Sequence, residues 1–229
     1  MYTLHIGNKN YSSWSLRPWA VMKACGIPFK EELHRFDFAS GNGAFRSFSP
    51  SSKVPCLVDG AQVVWDSLAI IEYLAERHTN VWPSGASARA WARSASAEMH
   101  SGFTQLRGHH GMNIGVRVAV TQRPAGVLAD ITRIEEIWNE GLRRFGGPFL
   151  AGDQFTAVDA FYLPVVFRFQ TYGVTLGGAA ANYMNHMLVQ RAAKEWETAA
   201  LAENFRDDAH DEELKQAGTV TADLRTPTP

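Results

Sequence analysis

Cysteine is scarce in this chain: Cys25 and Cys56 are the two in 229 residues, and no CxxC pair occurs. Two isolated thiols give neither a disulfide framework nor a cysteine-ligated zinc site, and they suit a reducing compartment. A surplus of charge is also missing, since 22 Lys and Arg against 23 Asp and Glu leave a formal net charge of −1. With that balance neither a nucleic-acid nor a membrane-surface partner is expected. No apolar run approaches the ~20 residues that cross a bilayer, and MYTLHIGNKN lacks a signal-peptide core and reads as a first strand. What is there is an ordinary globular composition, long enough for one large domain or two modest ones around a sizeable core. A cytoplasmic enzyme or binding protein is the default expectation.

The chain changes character near residue 80. Before it, short β-rich runs alternate with helical patterns. Tyr2 to Ile6 reads as a strand, Trp14 to Ala24 as a helix ended by Gly26, and Phe29 to Leu33 as a second strand. Residues 37–52 are Ser-, Gly- and Phe-rich, a loop with a short helical piece. Two apolar runs, Val54 to Val58 and Gln62 to Trp65, flank Asp59-Gly60 and predict a hairpin. Ser67 to Arg77 follows as a helix. The expected order β-α-β-loop-β-β-α is an α/β unit over residues 1–79, with a parallel crossover first and an antiparallel hairpin last. Beyond a linker near Val81 to Gly85, helical periodicity runs through Ser87–Leu106, Ala125–Phe145, Thr156–Tyr172 and Asn182–Ala202, predicting an all-α unit over 86–205. Residues 206–229, polar and acidic and then Thr/Pro-rich, are expected to form a loosely held tail, with draping over the body as the alternative.

The most informative stretch is Ser52-Lys53-Val54-Pro55-Cys56-Leu57, followed by Trp65-Asp66-Ser67-Leu68-Ala69-Ile70. A proline opening a strand cannot donate to the sheet ladder. If the Val54–Pro55 bond is cis, the Val54 backbone turns outward and is free to pair with an extended peptide. Asp66-Ser67 stands where the next helix begins, a natural carboxylate site, with the Asp66 carboxylate available to an ammonium group. Taken alone, Asp-Ser before an apolar run is an ordinary helix cap. Together the pieces describe a seat for the γ-glutamyl end of glutathione.

These residues resemble the cytosolic glutathione transferase superfamily, serine-type and zeta-like, over nearly the whole chain to about residue 205. The resemblance implies a thioredoxin-like N-terminal domain and a C-terminal helical bundle. It implies glutathione as co-substrate, bound by Val54, Pro55, Asp66 and Ser67, with Lys53 beside the peptide. A second match is Leu150 to Asp159, similar to the family's turn into a central helix, where Thr156 as N-cap and Asp159 at N3 make a capping-box variant. That motif concerns folding.

Catalysis is expected where strand one meets helix one, at Asn10-Tyr11-Ser12-Ser13-Trp14-Ser15-Leu16-Arg17, which resembles the zeta-class serine turn. A thiol of pKa about 8.5 must become thiolate to act as a nucleophile. A hydroxyl donating to sulfur beside a helix N-terminus favours that form. Ser13 is the first candidate by the resemblance, Ser12 the zeta-like alternative and Tyr11 the third. Capping of helix one explains Ser12 and Ser13 equally well. Arg17 is expected to make ion pairs on its helix. Cys25 and Cys56 read as small buried residues, and Ser12 to Ser15, lying where reductases carry cysteine, argues against dithiol exchange.

Phe103 and Met112 are candidates for an apolar co-substrate wall, with Arg107 and Asn113 as polar handles. His109 and His110 diverge and lack companion ligands, so no metal is expected, and both read as surface or rim residues. The zeta class is known for isomerising maleylacetoacetate-like acids. Its substrate-binding arginine has no clean counterpart here, because Arg168 falls at a different offset. The leading expectation is therefore a homodimeric glutathione transferase acting on a small electrophile. Cis–trans isomerisation and a non-catalytic scaffold are the alternatives.

Overall fold

The computed structural model describes residues 1–37 and 41–226. Residues 38–40 of the expected loop, and 227–229 of the expected tail, lie outside the described residues.

A four-stranded sheet organises the N-terminal part. β1 (Tyr2–Gly7) pairs in parallel with β2 (Phe29–His34) across α1 (Ser13–Ala24), and antiparallel with β3 (Cys56–Asp59). The Asp59-Gly60 turn folds β3 against β4 (Gln62–Trp65), giving the strand order β2-β1-β3-β4. Leu4 and Ile6 of β1 and Leu57 of β3 are fully buried, and so are Leu16 and Ala20 on α1 and Ile70, Ile71 and Leu74 on α2 (Ser67–Ala75). Strand alternation and helical spacing thus bring the two periodicities to one thioredoxin-like core. The Val54–Pro55 peptide is cis, and the β3–β4 ladder begins at Cys56, leaving Val54 outside it.

A helical region follows. α6 (Ala157–Thr171) is its axis: thirteen consecutive residues, Ala157 to Phe169, are buried, because α1 and α3 (Ala86–Ser101) pack along it and Trp138 of α5 (Ala125–Phe145) meets the rings of Tyr162 and Phe169. Its first turn is fixed by the capping box, in which Asp159 accepts from the Thr156 backbone N–H at 2.9 Å. The same carboxylate accepts from the Leu150 N–H at 2.9 Å and the Tyr183 hydroxyl at 3.2 Å. Asp159 therefore ties the preceding turn, α6 and α7 (Gly178–Leu188) at one buried point.

Three expectations need correction. The helix expected over Ser87–Leu106 breaks into α3 and α4 (Thr104–His109), because Gly102 is extended and Phe103 takes a left-handed φ of 57°. The helix expected over Asn182–Ala202 breaks into α7 and α8 (Arg191–Ala202), with Gln190 extended at the N-terminus of the second. The segment expected as a loose tail instead forms α9 (Asp208–Ala217) and β6 (Thr219–Asp223), which pairs antiparallel with β5 (Val116–Ala119). Arg225 secures this strap: its side chain is 6% exposed and bonds Asp211 at 2.7 Å and Asp223 at 2.7 Å. Gly115 makes room for it, since a Cβ there would run into Arg225.

Among the described residues no helix is long and apolar enough to cross a membrane. Nor, among them, do three or more His, Cys, Asp or Glu gather as a metal site.

Candidate active site

The end of β1 and the start of α1 build the first wall. Tyr11 and Ser12 donate their backbone N–H groups to the Asn8 carbonyl, a tight turn that sets Ser13 as the first residue of α1. Ser12 makes no side-chain cap bond to the helix. Its hydroxyl turns inward to Ser15 Oγ at 2.7 Å, which also accepts from the Gly7 N–H. Tyr11 is taken up elsewhere. Its phenol accepts from the Asp207 N–H and from Arg225, and donates toward Asp211 at 3.4 Å. Burial pushes it up to about 12. Ser13, at the rim, receives Arg168 Nη2 at 3.4 Å.

Val54, Pro55, Asp66 and Ser67 line the opposite wall with Lys53, Ser51, Trp65 and Trp14, around a cavity of about 400 Å³. Asp66 caps α2, its Oδ1 accepting the Leu68 N–H at 2.8 Å, while Oδ2 lies 3.4 Å from His100 Nε2. The ordinary capping role is therefore real, and the side chain still stays half exposed to the cavity. Ser67 is 1% exposed, and its Oγ has no hydrogen-bond partner among the described residues. A buried hydroxyl left open at a helix N-terminus calls for a ligand acceptor or donor. Lys53 is exposed.

A second cavity of about 430 Å³ adjoins the first, and Trp14, Lys53 and Val54 line both. Ser12, Ser13, Phe45, Arg107, Met112 and Arg168 also face it, and α9 closes it with His210 and Glu213. Of the expected co-substrate residues, Arg107 and Met112 stand there. Phe103 and Asn113 do not: Phe103 packs into the core, and Asn113 is buried and donates to Asp211 at 3.0 Å.

Cations dominate this floor. Arg107 lies over the Trp14 ring at 4.7 Å and Arg17 at 4.0 Å, with Arg17 also 4.9 Å from Phe161. The ion pairs expected for Arg17 are not made: it is 1% exposed, and its Nε and Nη1 have no partner among the described residues. Burial and the neighbouring Arg107 and Arg168 lower its pKa well below the usual arginine value. Arg168, set aside on sequence grounds for its offset, reaches the site because α6 passes beneath α1. It donates to the carbonyls of His110 at 2.9 Å and Pro164 at 3.5 Å, and burial brings it down to about 10. His109 is exposed, but His110 is buried against Tyr172 at 4.3 Å, a correction to its reading as a rim residue. Cys56 is buried in β3 and Cys25 half-buried at the end of α1, and burial raises both thiols.

Sequence reasoning missed Trp14 and Arg168. A tryptophan following the paired serines was the available signal for the first. The second had none, because its place depends on packing between residues 155 apart.

Comparison with known proteins agrees with this architecture. Residues 11–77 match the glutathione S-transferase N-terminal domain, and residues 118–205 the glutathione S-transferase C-terminal domain. A probable maleylacetoacetate isomerase of Caenorhabditis elegans is 29% identical over 181 residues, 72% of this chain and 80% of the relative. Glutathione S-transferase 3 of Zea mays is 30% identical over 159 residues, 63% of this chain and 68% of the relative. A solved glutathione transferase from Methylococcus capsulatus shares the fold, with a TM-score of 0.64 at 21% identity over 87% of this chain and 98% of that one. With both halves matched to one family and a cleft formed where they meet, the chain belongs to the glutathione S-transferases and is an enzyme of that family.

Proposed function

We propose that residues 1–79 hold glutathione and residues 86–205 shape the co-substrate pocket, with Ser13 donating its hydroxyl to the glutathione sulfur. The observation that carries this reading is the shared lining of the two cavities by Trp14, Lys53 and Val54. A peptide paired with Val54, its γ-glutamyl end at Asp66 and Ser67, has its sulfur directed toward Ser13 and its electrophile in the arginine-floored cavity. Lys53 is exposed and, among the described residues, has no ion-pair partner, which suits it to a peptide carboxylate. Of the three hydroxyls, those of Ser12 and Tyr11 already donate within the protein, to Ser15 Oγ and toward Asp211, whereas Ser13 only accepts, from Arg168, which favours Ser13.

The chemistry is short. The thiol proton leaves to solvent, the serine O–H donates to the thiolate, and sulfur attacks the electrophile. On an aryl halide a C–S bond forms as halide departs. Each pKa unit of thiol lowering corresponds to about 1.4 kcal/mol of preference for thiolate. Calorimetry is expected to register glutathione binding at millimolar ligand, and Ser13→Ala to raise the bound thiol's pKa by about one unit. An unchanged titration would move the role to Ser12 or Tyr11.

A second reading is isomerisation of an unsaturated acid, in which sulfur adds to a C=C bond, the bond rotates and sulfur leaves. The presence of Arg107 and Arg168 in the second cavity favours it, because guanidinium groups suit a carboxylate. Turnover of a maleyl-type acid at catalytic glutathione tests it. Failure there, with conjugation retained, returns the assignment to simple transfer.

The homodimer expected for this fold has a suitable surface. Trp65 is 46% exposed beside Val63, Leu68 and Ala69. Light scattering at twice the chain mass is the expected result, and a monomer would refute it. Two free thiols remain consistent with a cytoplasmic setting.

A further inference from the structure

Ser13 is a rotor. A serine hydroxyl has one proton and two acceptor positions, and it turns to suit its neighbours. Beside an empty lone pair, the proton of such a group is shared among whatever acceptors lie nearby. A guanidinium has donors only. The neighbour at 3.4 Å from Ser13 Oγ is Arg168 Nη2, so at that contact the serine can only accept.

From this we infer that Arg168 is a positioning residue for the thiolate: by filling a lone pair of Ser13 Oγ, it leaves the serine proton to be donated to sulfur. The inference rests on the role proposed above for Ser13.

The surroundings of Arg168 fit that task. Nε is held by the His110 carbonyl at 2.9 Å, and Nη1 faces the Pro164 carbonyl one turn back on α6 at 3.5 Å. Those two contacts come from different elements and fix the guanidinium plane, so that Nη2 extends toward the cleft as a fixed finger. No carboxylate pairs with it among the described residues. Its charged or titratable neighbours are Arg107, Arg17, His110 and Tyr172, together with Glu213 on α9. A buried cation held by neutral carbonyls is a poor device for stability, because its desolvation is not offset by an ion pair. It is a suitable device for orienting a hydroxyl, because its direction of donation cannot reverse. The adjacent serine offers a contrast. Ser12 donates inward to Ser15 and so has no proton for a ligand.

The test uses Arg168→Met and Arg168→Lys in the full chain, with glutathione as the probe. The pKa of the bound thiol is read from thiolate ultraviolet absorbance against pH. Arg168→Met is expected to raise that pKa by about one unit, with kcat/KM for an aryl halide falling about tenfold below the thiol pKa and converging with the parent above it. Arg168→Lys keeps a donor but loses the fixed fork, and is expected to recover part of the shift. The deciding measurement is a cycle with Ser13→Ala: because Arg168 acts through Ser13, adding Arg168→Met to Ser13→Ala should shift the pKa little further. Titrations of Arg168→Met that overlay the parent, or fully additive shifts in the cycle, overturn the inference. Absence of glutathione binding by the parent protein would instead remove the proposed function beneath it. Should the methionine variant fail to fold, the lysine variant and its cycle decide alone: no shift, or an additive one, is a refutation.

Discussion

Two buried polar clusters in this molecule keep their hydrogen bonds in opposite ways. Around Asp159 every direction is answered: two backbone N–H groups and the Tyr183 hydroxyl converge on a carboxylate that is fully buried. Around Arg17, Arg107 and His110 polar groups stay open among the described residues, beside an Arg168 that donates to two carbonyls and to Ser13. Arg17 has two unpartnered nitrogens, Arg107 one, and both ring nitrogens of the adjoining His110 lack partners. Closed clusters tie chain segments together, whereas unsatisfied buried groups lose stability and are kept where a ligand will meet them. The first cluster lies between α6, α7 and the turn at Leu150. The second borders the cleft.

Breaking the closed cluster is the largest effect expected from that contrast. Asp159→Ala strands two backbone donors and a tyrosine hydroxyl, and is expected to lower unfolding free energy by about 3–5 kcal/mol. Chemical denaturation followed by fluorescence measures it, and a loss below about 1 kcal/mol would dissolve the comparison. A smaller effect belongs to the open cluster and depends on pH. Burial drives His110 down to about 4 from an ordinary 6.5. The folded chain thus keeps it neutral while the unfolded chain protonates it, so its contribution is complete above pH 6.5 and is lost as pH falls toward 4. The expected slope is at most about 1.4 kcal/mol per pH unit in that window. His110→Phe should flatten it, and identical slopes for parent and variant would show that His110 is not the titrating group.

The same contrast explains what could be read from the sequence. Val54-Pro55, Asp66-Ser67 and Thr156 with Asp159 were legible because each is local: the residues that define the feature lie within one hairpin or one helical turn. The α3–α4 break was signalled by Gly102 and was overridden by the helical spacing around it. The α7–α8 break had no Gly or Pro to announce it. β5 and β6 each carry a short alternating run, Val-Arg-Val-Ala and Thr-Val-Thr-Ala-Asp, but their pairing joins residues about a hundred apart, so each alone looked like loop or tail. The arginine floor was the least legible part. Arg17, Arg107 and Arg168 come from three helices, and only tertiary packing makes them neighbours.

Arg17 gives the mildest prediction and the sharpest one for the comparison. Its guanidinium sits between Trp14 and Phe161, contacts that supply about 2 kcal/mol when desolvated. Taking the charge out of water costs several kcal/mol, and no ion pair among the described residues offsets it. Methionine has a similar length and keeps the ring contacts through its polarisable sulfur. Arg17→Met is therefore expected to leave the thermal midpoint unchanged or to raise it by a few degrees, a shift of about 1 kcal/mol or less. A midpoint lowered as far as that of Asp159→Ala would place Arg17 in the closed class, its open nitrogens notwithstanding. A stable variant would show that this cation is not there to hold the fold together.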